Sequence, residues 1–370
     1  MKIANFVGTL KVEDGVTRVV LTLIREAQKK GIESIIITGW AEDASMSPVP
    51  VIQVPSVIVP VYKEYRLSTL GIREFSKKLD EFRPDIIHVH SPDTIAWAAL
   101  RYARKRKIPI VATHHTGFDK YLAYYHADFL KASVWFLMKQ TYSQMVFVTT
   151  PSSVVTKEFL DHDIANAVTI PWGVDLDRFS DSFRSVIWRK QILKKKRKFI
   201  LLCVCRITWE KDLRTLAEVY KLLNNKRKDF VMVIAGDGPA REKLESLMPG
   251  AIFLGHIGGA TLSKVYASSD IFVFPSTTET FGNVTIEAMA SGSVPVVANA
   301  GGSKSLVING KNGFLTKPKD SKDICDKVNA LLDNSQLRKR MRNASLVFAK
   351  RFGWEKVFSK LLKMYKKSLR

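Results

Sequence analysis

Cysteine is scarce. The chain has three in 370 residues, Cys203, Cys205 and Cys325, and no Cys-x-x-Cys pair. That excludes a disulfide framework and a structural zinc site, and so few thiols fit a reducing compartment. Long apolar runs are also missing. The most apolar stretch, SVWFLM at 133–138, falls far short of the roughly 20 residues needed to span a bilayer. The opening MKIANFVGTL is too short an apolar run for a signal peptide and reads as a strand. No G-x-G-x-x-G turn follows it; Gly15 stands alone there, so dinucleotide binding is not supported. Helix-turn-helix, RRM and KH motifs are absent, so nucleic acid is not an expected partner.

Acidic residues are few against 58 basic ones: 35 of them, for a net charge of +23. The imbalance is uneven. Residues 1–171 carry 21 basic and 17 acidic residues, whereas 172–370 carry 37 and 18. Eight basic residues fall in 184–198 with no acid, and twelve fall in 338–370 against Glu355 alone. Such a surface suits a negatively charged partner: an anionic membrane or a phosphorylated substrate.

Apolar, β-branched runs alternate with amphipathic ones. KIANFVG (2–8), SIIITG (34–39), DIIHVH (85–90), IPIVATHH (108–115) and QMVFVTTPS (144–152) read as strands, separated by helical stretches such as 16–31, 72–82 and 95–107. After a loosely patterned basic stretch at 180–198 the alternation restarts, with strands at 198–206, 230–238, 251–256, 271–276 and 294–299. Near-continuous apolar strands between helices predict an α/β fold of two doubly wound parallel sheets. The expected domains are 1–171 and 172–353, with a last helix at 354–370.

Ligands of open α/β sheets bind outside the carboxyl ends of the strands. There the chain places His114 and His115, Arg206 and Lys211, Gly236-Asp237-Gly238-Pro239, and STTETFGNVTIEAMASG. This gathering of polar residues predicts a site in a cleft between the domains. Glu279 is in a loop, and Glu287 is expected about two turns into a helix that Asn283 caps. Free helix N–H groups suit phosphate or sugar oxygens, and carboxylates suit hydroxyls. Two glutamates alone also fit a solvated helix entry. Arg206 and Lys211 are suited to neutralising a diphosphate leaving group. Asp237 reads as a turn residue before a helix that Pro239 starts.

ETFGNVTIEAMASGSVPVVA resembles the donor-site signature of family-four glycosyltransferases of the B fold, in which seven residues separate two glutamates, here Glu279 and Glu287. CRITWEKD is similar to the family's G-R-x-x-x-x-K, with Cys205 for the glycine. IAGDGPAREKL, DGVTRVV and WGVDLDRF extend the likeness, with Trp172 in place of an Asn. ATHHTGFDKYLAYYHADFL resembles the H-T-D/H-x-x-x-Y segment of transferases that mannosylate glycolipids and of the plant sulfoquinovosyltransferase, with Gly117 at the acidic or His position.

The resemblance implies a retaining, metal-independent transfer from a nucleotide diphosphate sugar, with GDP-mannose favoured, to a lipid or glycolipid acceptor. Alternatives on the same fold are a UDP-sugar-dependent transfer to diacylglycerol or glycolipid, and a nucleotide-sugar epimerase. It assigns Glu287 to the ribose, Arg206 and Lys211 to the diphosphate, and Glu279 with the amides around Phe281, Gly282 and Asn283 to the sugar. Gly15 and Gly236 line the donor site, and His115 and Tyr121 take the acceptor side. His115, Glu279, Arg206 and Lys211 are the catalytic set. No cofactor is implied; Asp175-Leu176-Asp177 imitates a metal-binding D-x-D but reads as a structural turn. The final helix is expected to cross back to the N-terminal, acceptor-binding domain, leaving 172–353 to bind the nucleotide sugar.

Leu122, Tyr125, Phe129, Ala132 and Phe136 recur at helical spacing, flanked by Lys120, Lys131 and Lys139. They predict an interfacial helix on an anionic membrane, or a stripe packed in the core. The expected location is cytoplasmic, peripheral on the inner face of the cell membrane.

Overall fold

A computed structural model describes residues 1–370 apart from 13, 60–61, 69–72, 116–127, 194–196 and 370. The chain forms two units, Met1–Trp172 with Trp354–Arg370, and Gly173–Gly353.

Unit 1 has strands β1 (Lys2–Leu10), β2 (Glu33–Ala41), β3 (Val51–Gln53), β4 (Ser56–Val59), β5 (Tyr62–Ser68), β6 (Ile86–Val89), β7 (Ile110–Thr113), β8 (Val148–Thr150) and β9 (Ala167–Thr169). Its helices are α1 (Gly15–Gln28), α2 (Arg73–Phe82), α3 (Thr94–Arg106), α4 (Lys131–Tyr142) and α5 (Ser153–Asp161). Seven strands form a parallel sheet ordered β3-β2-β1-β6-β7-β8-β9, while β4 and β5 pair as an antiparallel hairpin. Ala4, Phe6, Ile87, Val89 and Ala112 face one buried cluster and Ile3, Ile86 and Val111 another, so the sheet is covered on both faces.

Unit 2 has α6 (Val186–Leu193), β10 (Phe199–Val204), α7 (Leu213–Lys226), β11 (Phe230–Ala235), α8 (Arg241–Leu247), β12 (Ile252–Phe253), α9 (Gly259–Ala267), β13 (Ile271–Phe274), α10 (Asn283–Ala290), β14 (Val294–Ala298), β15 (Phe314–Thr316), α11 (Ser321–Asp333) and α12 (Ser335–Ala349). Its strands are parallel, ordered β12-β11-β10-β13-β14-β15. Both sheets are doubly wound. The order reverses between β1 and β6 in unit 1 and between β10 and β13 in unit 2, the positions where such sheets bind ligands. The three cysteines are free and buried.

α13 (Trp354–Ser368) returns to unit 1. It buries Val357, Phe358, Leu361 and Tyr365 against a cluster that includes Ile3, Val19, Leu23, Ile86 and Phe147. Each such side chain contributes about 1.5–3 kcal/mol. Lys356, Lys360, Lys363, Lys366 and Lys367 occupy the exposed face.

Several local expectations change. Pro239 lies in a turn, and α8 starts two residues later, at Arg241. Asp237 is a turn residue as read: Oδ1 accepts the Gly238 N–H at 2.7 Å and Oδ2 pairs with Arg241 at 2.9 Å. Asp175 Oδ1 accepts the N–H groups of Asp177 and Arg178, so the D-x-D segment is built as a turn. Of the aromatic stripe, Leu122 and Tyr125 lie outside the described residues. Phe129 and Phe136 are 80% and 60% exposed, which excludes core packing for them. Trp135 is the buried one, and it stacks on His162.

Candidate functional site

In unit 2 the site grows from the switch point. β10 ends at Val204, and Arg206 and Lys211 follow; β13 ends at Phe274, and Glu279 follows. Lys211 Nζ meets Glu279 Oε1 at 2.7 Å, with both side chains mostly buried. Ser276 Oγ donates to the same Oε1 at 3.1 Å. A second bond set clamps the two loops. Asp212 accepts from the N–H and hydroxyl of Thr277 at 3.0 and 2.7 Å, and Thr278 donates to the Glu210 carbonyl. Arg206 is exposed and enters none of the ion pairs seen among the described residues.

α10 starts one residue earlier in its capping than expected. Gly282 is the cap, with φ of 98°, and Asn283 is the first helical residue rather than the cap. A Cβ at Gly282 would lie 2.4 Å from the Ser303 hydroxyl oxygen, so packing as well as φ requires glycine. The first-turn amides of Asn283 and Val284 have no helical carbonyl behind them. Phe281 is buried and faces Phe352, so its backbone rather than its ring belongs to the site. Glu287 is one turn into α10, not two. Tyr266 donates to its Oε2 at 3.0 Å. Burial, then the Glu287 charge, push the Tyr266 hydroxyl well above its ordinary value, so it stays a donor. At Gly236, φ of 132° lets the loop after β11 press on the Cys205 carbonyl, which a Cβ would approach to 1.8 Å.

In unit 1, Gly15 is the exposed first residue of α1, whose cap Asp14 accepts the Thr17 N–H. Tyr121 lies outside the described residues. His115 follows β7 and is buried. Its Nε2 lies 3.1 Å from His90 Nδ1, and its ring stacks on Trp172. A side chain, rather than backbone alone, therefore holds it. His90 Nε2 faces Asn5 Oδ1 at 3.3 Å, and Asn5 Nδ2 donates to the Ile35 carbonyl at 3.4 Å. Because that carbonyl can only accept, Asn5 Oδ1 must accept from His90. His90 Nδ1 then accepts from His115 Nε2–H, and Nδ1 becomes the acceptor of the His115 ring. His88 packs beside them, bonded to Thr113 and to Tyr365 of α13. Burial pushes His88 and His115 down to about 3, and His90 well below its ordinary value, so all three are neutral. His114 bonds Tyr142 instead, away from this chain of contacts.

Nitrogen-resolved NMR at neutral pH should find His115 protonated on Nε2 only, and a mixture of both tautomers in Asn5→Leu. A wild-type ring protonated on Nδ1 would contradict the relay. Sequence reading missed Asn5, His90, Asp212 and Tyr266; Asn5 and Tyr266 lie inside elements, whereas His90 follows β6 directly with an H-x-H spacing at 88–90, and Asp212 closes the CRITWEKD segment, signals that could have found them.

Two family models match consecutive parts of the chain: Glycosyltransferase Family 4 over residues 14–178 and Glycosyl transferases group 1 over 185–347. A GDP-mannose-dependent alpha-mannosyltransferase of Corynebacterium glutamicum is 31% identical over 357 residues, covering 95% of this chain and 85% of that one. The sulfoquinovosyl transferase of Arabidopsis thaliana is 32% identical over 351 residues, covering 91% and 68%. An alpha-monoglucosyldiacylglycerol synthase of Streptococcus pneumoniae is 28% identical over 320 residues, covering 81% and 71%. Among solved structures, a sucrose-phosphate synthase from Thermosynechococcus elongatus has a TM-score of 0.79 at 18% identity, over 99% of this chain and 98% of that one. At that identity the likeness shows the fold alone.

Proposed function

The chain belongs to the group 1, family-four glycosyltransferases, and from that premise we propose that it transfers mannose from GDP-mannose to a lipid or glycolipid acceptor, with retention and without a metal. The observation that carries the reading is the Lys211–Glu279 pair across the unit 2 switch point. It joins a cation suited to a diphosphate with a carboxylate suited to sugar hydroxyls, just beyond the ends of two adjacent strands. The corynebacterial relative's name supports the donor, and the pneumococcal relative's name supports a lipid acceptor.

In this reading the acceptor hydroxyl attacks the anomeric carbon on the face that the diphosphate leaves. The bond from that carbon to the phosphate oxygen breaks as the new one forms, and the acceptor's proton passes to the leaving phosphate. Arg206, Lys211 and the first-turn amides of α10 carry the charge that develops there. Glu287, its rotamer held by Tyr266, takes the ribose. His115 offers Nδ1 as an acceptor to a sugar or acceptor hydroxyl.

No helix among the described residues is long and apolar enough to cross a membrane. Unit 1 suits a peripheral position, with Phe129 exposed in the turn just before α4, Phe136 and Leu137 exposed on α4, and five exposed lysines on α13. A second reading is transfer from a UDP-sugar to diacylglycerol; the pneumococcal relative's name favours its acceptor.

The test is a panel of labelled nucleotide sugars with a lipid acceptor, read by NMR of the product. The expected result is GDP-mannose turnover, an unchanged anomeric configuration and full activity in EDTA. Turnover of a UDP-sugar in its place selects the second reading. An inverted anomeric centre ends the retaining route, and an epimerised free nucleotide sugar as sole product ends transfer altogether.

A further inference from the structure

The residues proposed for the donor follow the carboxyl ends of β10, β11 and β13. Asp270 instead directly precedes β13, and Gly292 lies two residues before β14, at the opposite edge of the same sheet. A cavity of about 420 Å³ opens there, lined by Arg184, Arg338, Lys339 and Arg342 around Asp270. It is thus remote from the donor residues by topology, and its chemistry is cationic.

The acids present do not balance it. Asp270 is met by Arg184 at 3.1 Å and by Arg189 at 2.9 Å. Arg342 pairs with Asp181 at 3.0 Å and donates to the Gly292 carbonyl. Arg338 donates to the Leu331 carbonyl and lies over the Phe199 ring. Lys339 is exposed. Neither Arg338 nor Lys339 meets a carboxylate among the described residues. Five cations (184, 189, 338, 339 and 342) against two acids (181 and 270) leave three positive charges. Burial lowers the Arg342 pKa and the neighbouring Arg184 charge adds to that, a repulsion that an anion between them would relieve. Ser335, the first residue of the fifteen-residue α12, also lines the cavity and brings the positive end of that helix.

The chain beside Arg184 points to the source of the anion. Its sequence neighbours Phe183, Val186 and Ile187 are exposed apolar side chains, at 39%, 65% and 73%. A free phosphate gains nothing from them, whereas a phospholipid uses both, with its phosphate among the cations and its acyl boundary against the apolar side chains. We infer that this cavity binds the phosphate of an anionic lipid headgroup, so that unit 2 has its own membrane contact. The inference rests on the reading that the chain works at an anionic membrane, and not on the donor assigned to it.

The test is co-sedimentation of the full chain with phosphatidylglycerol–phosphatidylcholine vesicles and with pure phosphatidylcholine vesicles, alongside calorimetric titration with inorganic phosphate and glycerol phosphate. Wild type should prefer the anionic vesicles, and less so at high salt. Lys339→Glu should weaken that binding about tenfold or more, because a reversal removes one favourable contact and adds an unfavourable one. Val186→Ser with Ile187→Ser should weaken it several-fold. Melting curves like wild type show that the variants fold. Anionic-vesicle binding unchanged in both variants overturns the site. A Lys339→Glu effect on phosphate titration alone overturns the lipid in favour of a free phosphorylated ligand. A wild type that sediments with neither vesicle overturns the membrane reading itself. Loss only in Phe129→Ser with Phe136→Ser confines membrane contact to unit 1 and overturns the inference for unit 2.

Discussion

Lys211→Ala should lower turnover by about 10²–10³-fold, with a much smaller change in the KM of the donor. A preorganised charge aimed at a developing oxyanion contributes about that much. The Lys211–Glu279 pair is preorganised in this sense. Side-chain exposures of 18% and 17% keep water largely away, and Ser276 donates to the same carboxylate oxygen that Lys211 meets. The loss should fall on kcat, because charge on the phosphate grows as the sugar departs. Lys211→Arg keeps the charge but not its compact geometry, and should recover part of the rate. Glu279→Gln offers the control. It leaves the cation in place and removes an acceptor for sugar hydroxyls, so its effect should depend on which sugar is offered. Steady-state kinetics at saturating donor decide the matter: near wild-type turnover in Lys211→Ala removes Lys211 from the chemistry.

Unit 1 should lose stability steeply between pH 6.5 and pH 5, ahead of unit 2. Three neutral histidines, His88, His90 and His115, are packed together, with ring centres 4.0 Å apart for the first pair and 5.4 Å for the second. In the folded state two of them take up protons only near pH 3, and the third is also held well below its ordinary value. In the unfolded chain each does so near 6.5. As pH falls below 6.5 the unfolded state therefore binds protons that the folded state does not, and stability drops until the folded pKa is reached. At pH 5 the cost is about 2 kcal/mol per histidine, or about 6 kcal/mol together as an upper bound. That is comparable with the whole stability of an ordinary domain, roughly 5–15 kcal/mol. Unit 2 has one histidine, the exposed His256. Carboxylates such as Asp80, held down to about 2 chiefly by its bond to Arg106, act only in more acidic solution. Hydrogen exchange read by peptide mass across this pH range would test the order. Equal protection at pH 7.5 and pH 5, or earlier opening of unit 2, would refute it.

The alternation of apolar and amphipathic runs was enough to read most strands of both sheets, because parallel strands buried on two faces are apolar along their whole length. It did not reveal the β4–β5 hairpin, whose segment is broken by Pro55 and Pro60. α6 was hidden for a different reason: Val186 and Ile187 face outwards, so no buried stripe marks it. α12 buries only Met341, Ser345 and Ala349, two of them small, and gives little signal. In the site, Lys211 and Glu279 could be placed because each follows a strand, although 68 residues separate them. Asn5 could not, because a polar residue inside β1 has no pattern of its own until the fold sets it opposite His90. The capping of α10 was misassigned to Asn283 because an asparagine at a helix start is favoured, while the left-handed backbone there admits Gly282.

The return of α13 to unit 1 bears on how the polypeptide is made. A nascent chain emerges at about 5–20 residues per second. Residues 1–172 are out of the ribosome long before Val357, Phe358, Leu361 and Tyr365, which complete their core. The wait is on the order of 10–40 s at those rates. Meanwhile residues 173–353 are contiguous and can close their own core first. The usual order, in which the earlier-made unit finishes earlier, is reversed. For that interval Ile3, Val19, Leu23 and Phe147 form an uncovered apolar face, and it is this face that a chaperone acting during translation would hold.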